Sequence, residues 1–151
     1  MNAPPRRIGP TFPRLADAAF HVTRAISAWA MARAGFHAIE SDVGRTTIAT
    51  IARRLQNGET VYIAGLACSG THNTGVALVE LTQANGPRLI VNNEEERFSG
   101  NKHTSEFPHR SLDAMAATLR AMGRDIGDIA AYVTTWDYPT LFGTMMRTAL
   151  E

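Results

Sequence analysis

Residues Val61–Asn92 read VYIAGLACSGTHNTGVALVELTQANGPRLIVN, and the fold turns on how this stretch is parsed. VYIAGLA, Val61 to Ala67, is rich in β-formers and ends in small residues, as a buried strand does. CSGTHN follows as a tight turn. TGVALVELT, Thr74 to Thr82, is a second strand. QANGPR then holds Asn85-Gly86, a dipeptide whose backbone suits the tightest hairpins. A third strand runs from Arg88 to Asn92 and leads into a charged segment.

Downstream, Pro108 opens a helix at a position where its missing N–H costs nothing. Leu112, Met115, Ala116, Leu119 and Met122 form its apolar face, and Gly123 ends it. IAAYVTTW, Ile129 to Trp136, is a fourth strand. Pro139 opens a last helix, with Leu141, Phe142, Met145, Met146 and Ala149 expected to face inward. The order is strand, strand, strand, helix, strand, helix. Two hairpins followed by a helical crossover give a mixed sheet, its fourth strand parallel to a neighbour. The fold class is therefore α/β. The element order is that of the opening of a ribonuclease-H-like lobe, the unit doubled in actin-like ATPases.

Upstream the chain differs. Residues 1 to about 13 are Pro-rich. Leu15, Ala19, Val22, Ile26 and Trp29 then recur at 4-3-4-3 spacing on one helical stripe, and Gly35 is a stop. A second, shorter helix reaches Leu55, with Ile48, Ile51, Ala52 and Leu55 on one face and Gly58 closing it. The stripes are expected to pack against the rest of the protein rather than against a partner or a membrane surface. The chain is thus read as an extension, 1–58, followed by a partial lobe, 59–151.

Composition excludes several classes. With 151 residues, 44% apolar and 19% charged, the chain has the make-up of one globular domain. A net charge of +1 gives no broad basic field for nucleic acid or anionic lipid. The single cysteine, Cys68, excludes an internal disulfide and fits a reducing, cytoplasmic setting. No apolar run approaches the roughly 20 residues that span a bilayer. The N-terminal MNAPPRRIGPTFP lacks a signal-peptide core.

The charged segment is Asn92–His103, NNEEERFSGNKH. Three carboxylates cannot all be buried unpaired. Read as a strand, the segment puts Glu94 and Glu96 on one face and Glu95 on the other. One face would look into a cleft and the other would pair with Arg97 or Lys102. The plain alternative is a charged strand end emerging into water.

Taken in order, His72-Asn73, Glu94-Glu95-Glu96-Arg97-Phe98, Lys102-His103 and Phe107-Pro108 resemble the N-terminal segment of the carbamoyltransferases that modify nodulation factors and antibiotics. The resemblance covers about residues 60 to 136, and residues 1 to 58 match nothing in that family. It implies an actin-like fold and an O-carbamoyltransferase reaction. ATP and carbamoyl phosphate form a carbamoyl adenylate, whose carbamoyl group passes to a hydroxyl-bearing small-molecule acceptor. It also implies a longer enzyme. In the family a second lobe, a synthase-like domain and a divalent metal site built from later histidines and an aspartate follow, so the metal ligands would lie outside this chain. The segment alone is expected to be inactive.

The residues carry matching chemistry. Alcohol attack needs a base, and His72 in the first turn has a side chain that titrates near neutral pH; the plain alternative is a turn histidine. Gly70 and Thr71 could present backbone N–H groups to a phosphate, although turns use the same residues for geometry alone. Lys102 offers a compact charge to carbamoyl phosphate, against a solvated loop lysine. Arg97 could clamp a phosphate or pair with a neighbouring glutamate, and Glu95 is assigned with these to substrate binding. Cys68 is read as a small filler. His103 and His109 are read as shaping their loop; Trp136, Asp137 and Tyr138 end the last strand, where they either line a cleft or, as the simpler reading, pack at the sheet edge. Two alternatives stand beside the transferase: a non-catalytic interaction module on the same half-lobe, and a sugar-kinase-like phosphotransferase fragment. Self-association into a homo-oligomer is compatible with the sequence.

Overall fold

The computed structural model describes residues 13–68, 73–134 and 136–150. Its elements are α1 (Pro13–Arg33), α2 (Asp42–Gln56), β1 (Val61–Ala67), β2 (Gly75–Thr82), β3 (Gly86–Glu94), α3 (Glu95–Ser99), α4 (His109–Ala121), β4 (Ile129–Thr134) and α5 (Tyr138–Leu150). A 3-10 turn, Ile126–Asp128, precedes β4. The chain divides into two compact units, 39–136 and 13–38 with 137–150. The division differs from a boundary near residue 58: α2, read as part of the extension, belongs to the unit that holds the sheet.

In the unit 39–136 the strand order is β3-β2-β1-β4. β1 pairs antiparallel with β2, β2 antiparallel with β3, and β4 parallel with β1. This is an α/β fold with a four-stranded mixed sheet, as the hairpin–hairpin–crossover order predicts. The β2–β3 connection turns at Gly86, whose φ of +67° suits a residue without Cβ, and Thr82 Oγ1 accepts the Asn85 N–H at 3.1 Å. Pro87 sits on the edge strand β3, where the ladder tolerates a missing donor.

One sheet face carries the core. Tyr62, Ala64, Val76, Leu78 and Val91 are buried with Met115 and Leu119 of α4, and Leu66, Ile90, Leu112 and Ile129 pack around them. The α4 face was therefore legible from spacing, except that Met122 is exposed and Ser111 is buried. Helix α2 begins earlier than its apolar spacing suggests. Ser41 caps it, its Oγ accepting the Gly44 N–H at 3.0 Å, and Asp42 places a carboxylate in the positive first turn.

In the unit formed by 13–38 and 137–150, α1 and α5 are antiparallel. Asp17 pairs with Arg147 at 3.4 Å, Phe20 meets Gly143, and Arg24 Nε donates to Thr140 Oγ1 at 3.2 Å. Two sequence expectations fail here. Leu15, Val22, Ile26 and Trp29 of the α1 stripe are exposed; the side of α1 with Ala16 and Phe20 is the shielded one. On α5, Phe142, Met145, Met146 and Ala149 are exposed, and Gly143 is the buried residue. Close approach at a glycine selected the contact face over bulk hydrophobicity. Among the described residues no helix is long and apolar enough to cross a membrane.

Candidate functional site

The charged segment does not continue as a strand. β3 ends at Glu94, and Glu95–Ser99 forms the single turn α3, closed by Gly100 at φ +73°. The alternating-face reading of the three glutamates is thereby corrected, because helical geometry sends three successive side chains in three directions. Each carboxylate has a separate partner. Glu94 Oε2 accepts from Arg97 Nε at 3.1 Å, an exposed ion pair. Glu96 Oε2 accepts the His103 backbone N–H at 3.1 Å.

Glu95 is the fully enclosed member, with 0% relative exposure. Its backbone N–H donates to Thr74 O at 2.9 Å, tying α3 to the start of β2. Its carboxylate reaches the first turn of α4. Oε2 accepts the Ser111 N–H at 2.8 Å and Oε1 accepts the Arg110 N–H at 3.3 Å. Helix α4 has no acidic residue in its own first turn, and Pro108, at the cap position, supplies no side-chain bond. Glu95 fills that gap from a distance in sequence, meeting orphan N–H groups at the positive end of the helix. Burial pushes the Glu95 carboxyl up. The Ser111 N–H, the adjacent Ser111 hydroxyl, the Arg110 N–H and the His109 charge more than offset this, so the net direction is downward. The Ser111 Oγ has no hydrogen bond of good geometry among the described residues, so we attribute the lowering chiefly to the two backbone N–H groups. As placed, both Glu95 oxygens serve α4.

The loop after α3 returns to the start of β2. His103 Nδ1 lies 3.1 Å from Asn73 Oδ1. Both residues have positive φ, +56° for Asn73 and +54° for His103. Asn adopts this region at modest cost and histidine more rarely. The strain at one is held by the bond to the other, and by the Glu96 carboxylate on the His103 N–H. Lys102, the preceding residue, is exposed and makes no hydrogen bond or ion pair among the described residues. Arg97 is exposed apart from its pairing with Glu94.

His72, Gly70 and Thr71 lie outside the described residues. The structure therefore brings together the second residue of each quoted pair, Asn73 and His103. Sequence reasoning passed over both as site members. A polar residue following a turn histidine and a histidine following a lysine carry no spacing rule that joins them across 30 positions. Cys68 is half-buried after β1. Asp137 proves to be a cap: it accepts from Thr140 Oγ1 at 2.6 Å and Thr140 N at 3.3 Å, and chiefly the hydroxyl bond holds its carboxyl below the ordinary value. Trp136 is exposed. A shallow depression elsewhere is lined by Thr46, Thr47, Thr50, Ile51 and Arg54 of α2 with Ala130, and shares no residue with the rim just described.

Among the described residues the arrangement presents an exposed Lys102 ammonium and an imidazole anchored to Asn73, groups that can meet an anion or a polar ligand. Among the described residues no group of three histidine, cysteine or carboxylate side chains could hold a metal, consistent with glutamates already engaged singly. Comparison of the chain with protein-family models, with curated proteins and with solved structures finds no match.

Proposed function

We propose that the chain is the N-terminal portion of an O-carbamoyltransferase with an actin-like, ribonuclease-H-like lobe. The observation that carries the reading is the 3.1 Å contact of Asn73 Oδ1 with His103 Nδ1. It joins Asn73, the residue that follows His72 in the sequence, to the Lys102-His103 turn, and the residues of these two pieces have chemistry that suits transfer of a small anionic acyl donor. The strand order β3-β2-β1-β4, with the fourth strand parallel to the first, supports the half-lobe.

In this reading Lys102 receives the phosphate of carbamoyl phosphate as a mobile point charge. Gly70 and Thr71 offer backbone N–H groups to phosphate oxygens. Arg97 contributes positive field from the rim while paired with Glu94. Glu95 acts as a positioning residue, fixing α4 beneath the loop that carries Lys102. His72 takes the proton from the acceptor hydroxyl as its oxygen bonds to the carbamoyl carbon. ATP supplies the adenylate that leaves, and any divalent metal would be held by residues outside this chain.

The test is a titration of carbamoyl phosphate into the 151-residue protein, followed by backbone amide shifts. Shifts confined to residues around Asn73, Lys102 and His103, and abolished in Lys102→Ala, are expected. Their absence overturns the donor site. Release of pyrophosphate from ATP and of phosphate from carbamoyl phosphate, by the enzyme that contains this segment, tests the reaction itself. Unchanged turnover in His72→Asn would remove His72 from it.

A further inference from the structure

Helix α1 is apolar on two sides, and among the described residues only one of them has a partner. Ala16, Phe20, Thr23 and Ser27 lie on the shielded side, where Phe20 meets Gly143 of α5. A second side, about 100° around the helix, carries Leu15, Ala19, Val22, Ile26 and Trp29. Leu15, Val22, Ile26 and Trp29 are 54%, 58%, 61% and 64% exposed. Their 4-3-4-3 spacing is that of a coiled-coil seam, which buries a stripe of this width against one facing helix. We infer that this seam is a self-association surface, covered by α1 of a second copy of the chain in antiparallel orientation.

Three observations select that occupant. The first is size. Pairing about Arg24 sets Val22 against Ile26 of the second copy and Ala19 against Trp29, so the largest side chain meets the smallest. The second is charge. Arg33 is the one charged residue in line with the seam. Parallel pairing would place the two Arg33 side chains together, whereas antiparallel pairing separates them by about 27 Å at 1.5 Å per residue. Each Arg33, already 5.4 Å above the Trp29 ring of its own helix, then lays its stem along Leu15 of the other copy. The third is the border. Ala18, Ala25 and Ala32 flank the seam on the side away from α5, and all are exposed. Alanines permit close helix approach and carry no charge to repel a like helix. An interfacial membrane helix would instead border its apolar stripe with lysine and arginine.

The experiment is sedimentation equilibrium of the 151-residue protein at tens of micromolar, with Val22→Glu/Ile26→Glu as the variant. A dimer is expected for the parent chain. The double variant should be monomeric, its dissociation constant raised by at least about 100-fold, since each buried carboxylate costs tenfold or more. Both positions are exposed within the monomer, so an unchanged far-UV spectrum should accompany the loss. Leu89→Glu, an exposed apolar site on β3, should leave the dimer intact. For orientation, spin labels on Arg14→Cys in a Cys68→Ser background should lie about 30 Å apart along the pair. A parent chain that is monomeric throughout overturns the inference. So does a dimer that survives the double variant or dissolves with Leu89→Glu, a short label distance, or a monomer that binds anionic phosphatidylserine vesicles through the same stripe.

Discussion

Glu95 shows how one side chain can carry a role that its type conceals. A glutamate in a run of three looks like a solvated strand end or a substrate contact, yet it is the cap of a helix that starts 14 residues later. Replacing it with alanine leaves two N–H groups at the α4 terminus without their carboxylate and opens a buried space. A loss of about 2–4 kcal/mol is expected in urea unfolding, the sum of the charged hydrogen bonds and the missing volume. The sign of the pH dependence follows from the downward direction of its pKa. The folded protein holds the proton less tightly than the unfolded chain, whose value is near 4.5. The stabilisation is thus complete above that value and disappears as pH falls through the lower, folded one. Unfolding free energies measured from pH 6 down to 3 should fall more steeply for the parent than for Glu95→Gln. Parallel profiles would mean that the carboxylate charge does not contribute. The same scale holds the Asn73–His103 contact, where two strained residues share one bond. A double-mutant cycle with Asn73→Ala and His103→Ala should give a coupling of about 0.5–1.5 kcal/mol, and additive effects would show that the contact is not formed in solution. Neither role could be read from the sequence, because each depends on a partner set by the sheet rather than by spacing.

Elements were more legible than contacts. β1 was readable to the residue, and β2, α4 and α1 nearly so, because period and breakers are local: Gly35, Gly86 and Gly123 each take positive φ where the chain turns. Which face an element buries is a different question, and there hydrophobic spacing misled on α1 and α5. The largest apolar side chains mark the faces left exposed, while the packed face is built on Gly143. An added Cβ at Gly143 would stand 2.9 Å from a Phe20 ring carbon and 3.0 Å from the Phe20 carbonyl oxygen. The ring can rotate, but the carbonyl belongs to α1 itself, so the helices must part. Gly143→Ala gains up to about 1 kcal/mol in helix propensity and loses about 1–3 kcal/mol by overpacking. Net loosening of the α1–α5 pair is therefore expected. It is checked by faster amide exchange in α5 with β2 unchanged; protection equal to the parent would show that the contact is slack. The third misreading, of Glu94–Glu96 as strand, has a related cause. Nothing local distinguishes a charged strand end from a one-turn helix whose first N–H is claimed by Thr74.

At the scale of the molecule the two units differ in how much they bury. The unit 39–136 has a continuous core on one sheet face, with Ala64, Leu78 and Leu119 wholly enclosed. In the helical unit only Ala16 and Gly143 are buried among the described residues. Two small residues remove little apolar area from water, and at roughly 25 cal/mol per Å² they offset little of the ordering entropy of two helices. The α1–α5 pair should consequently open by local fluctuation well before the sheet unfolds. Amide exchange in the native protein is the measurement. β1, β2 and α4 should approach the global unfolding free energy, and α1 and α5 should exchange far sooner, with little dependence on added denaturant. This ranking separates the intrinsic weakness of the pair from its proposed completion by a second copy. If the α1 seam is covered in a dimer, dilution should speed exchange in α1 while leaving β2 alone, since only the former gains protection from association. Protection in α1 equal to that in β2 at every concentration would overturn both the weakness of the helical unit and the need for anything to cover it.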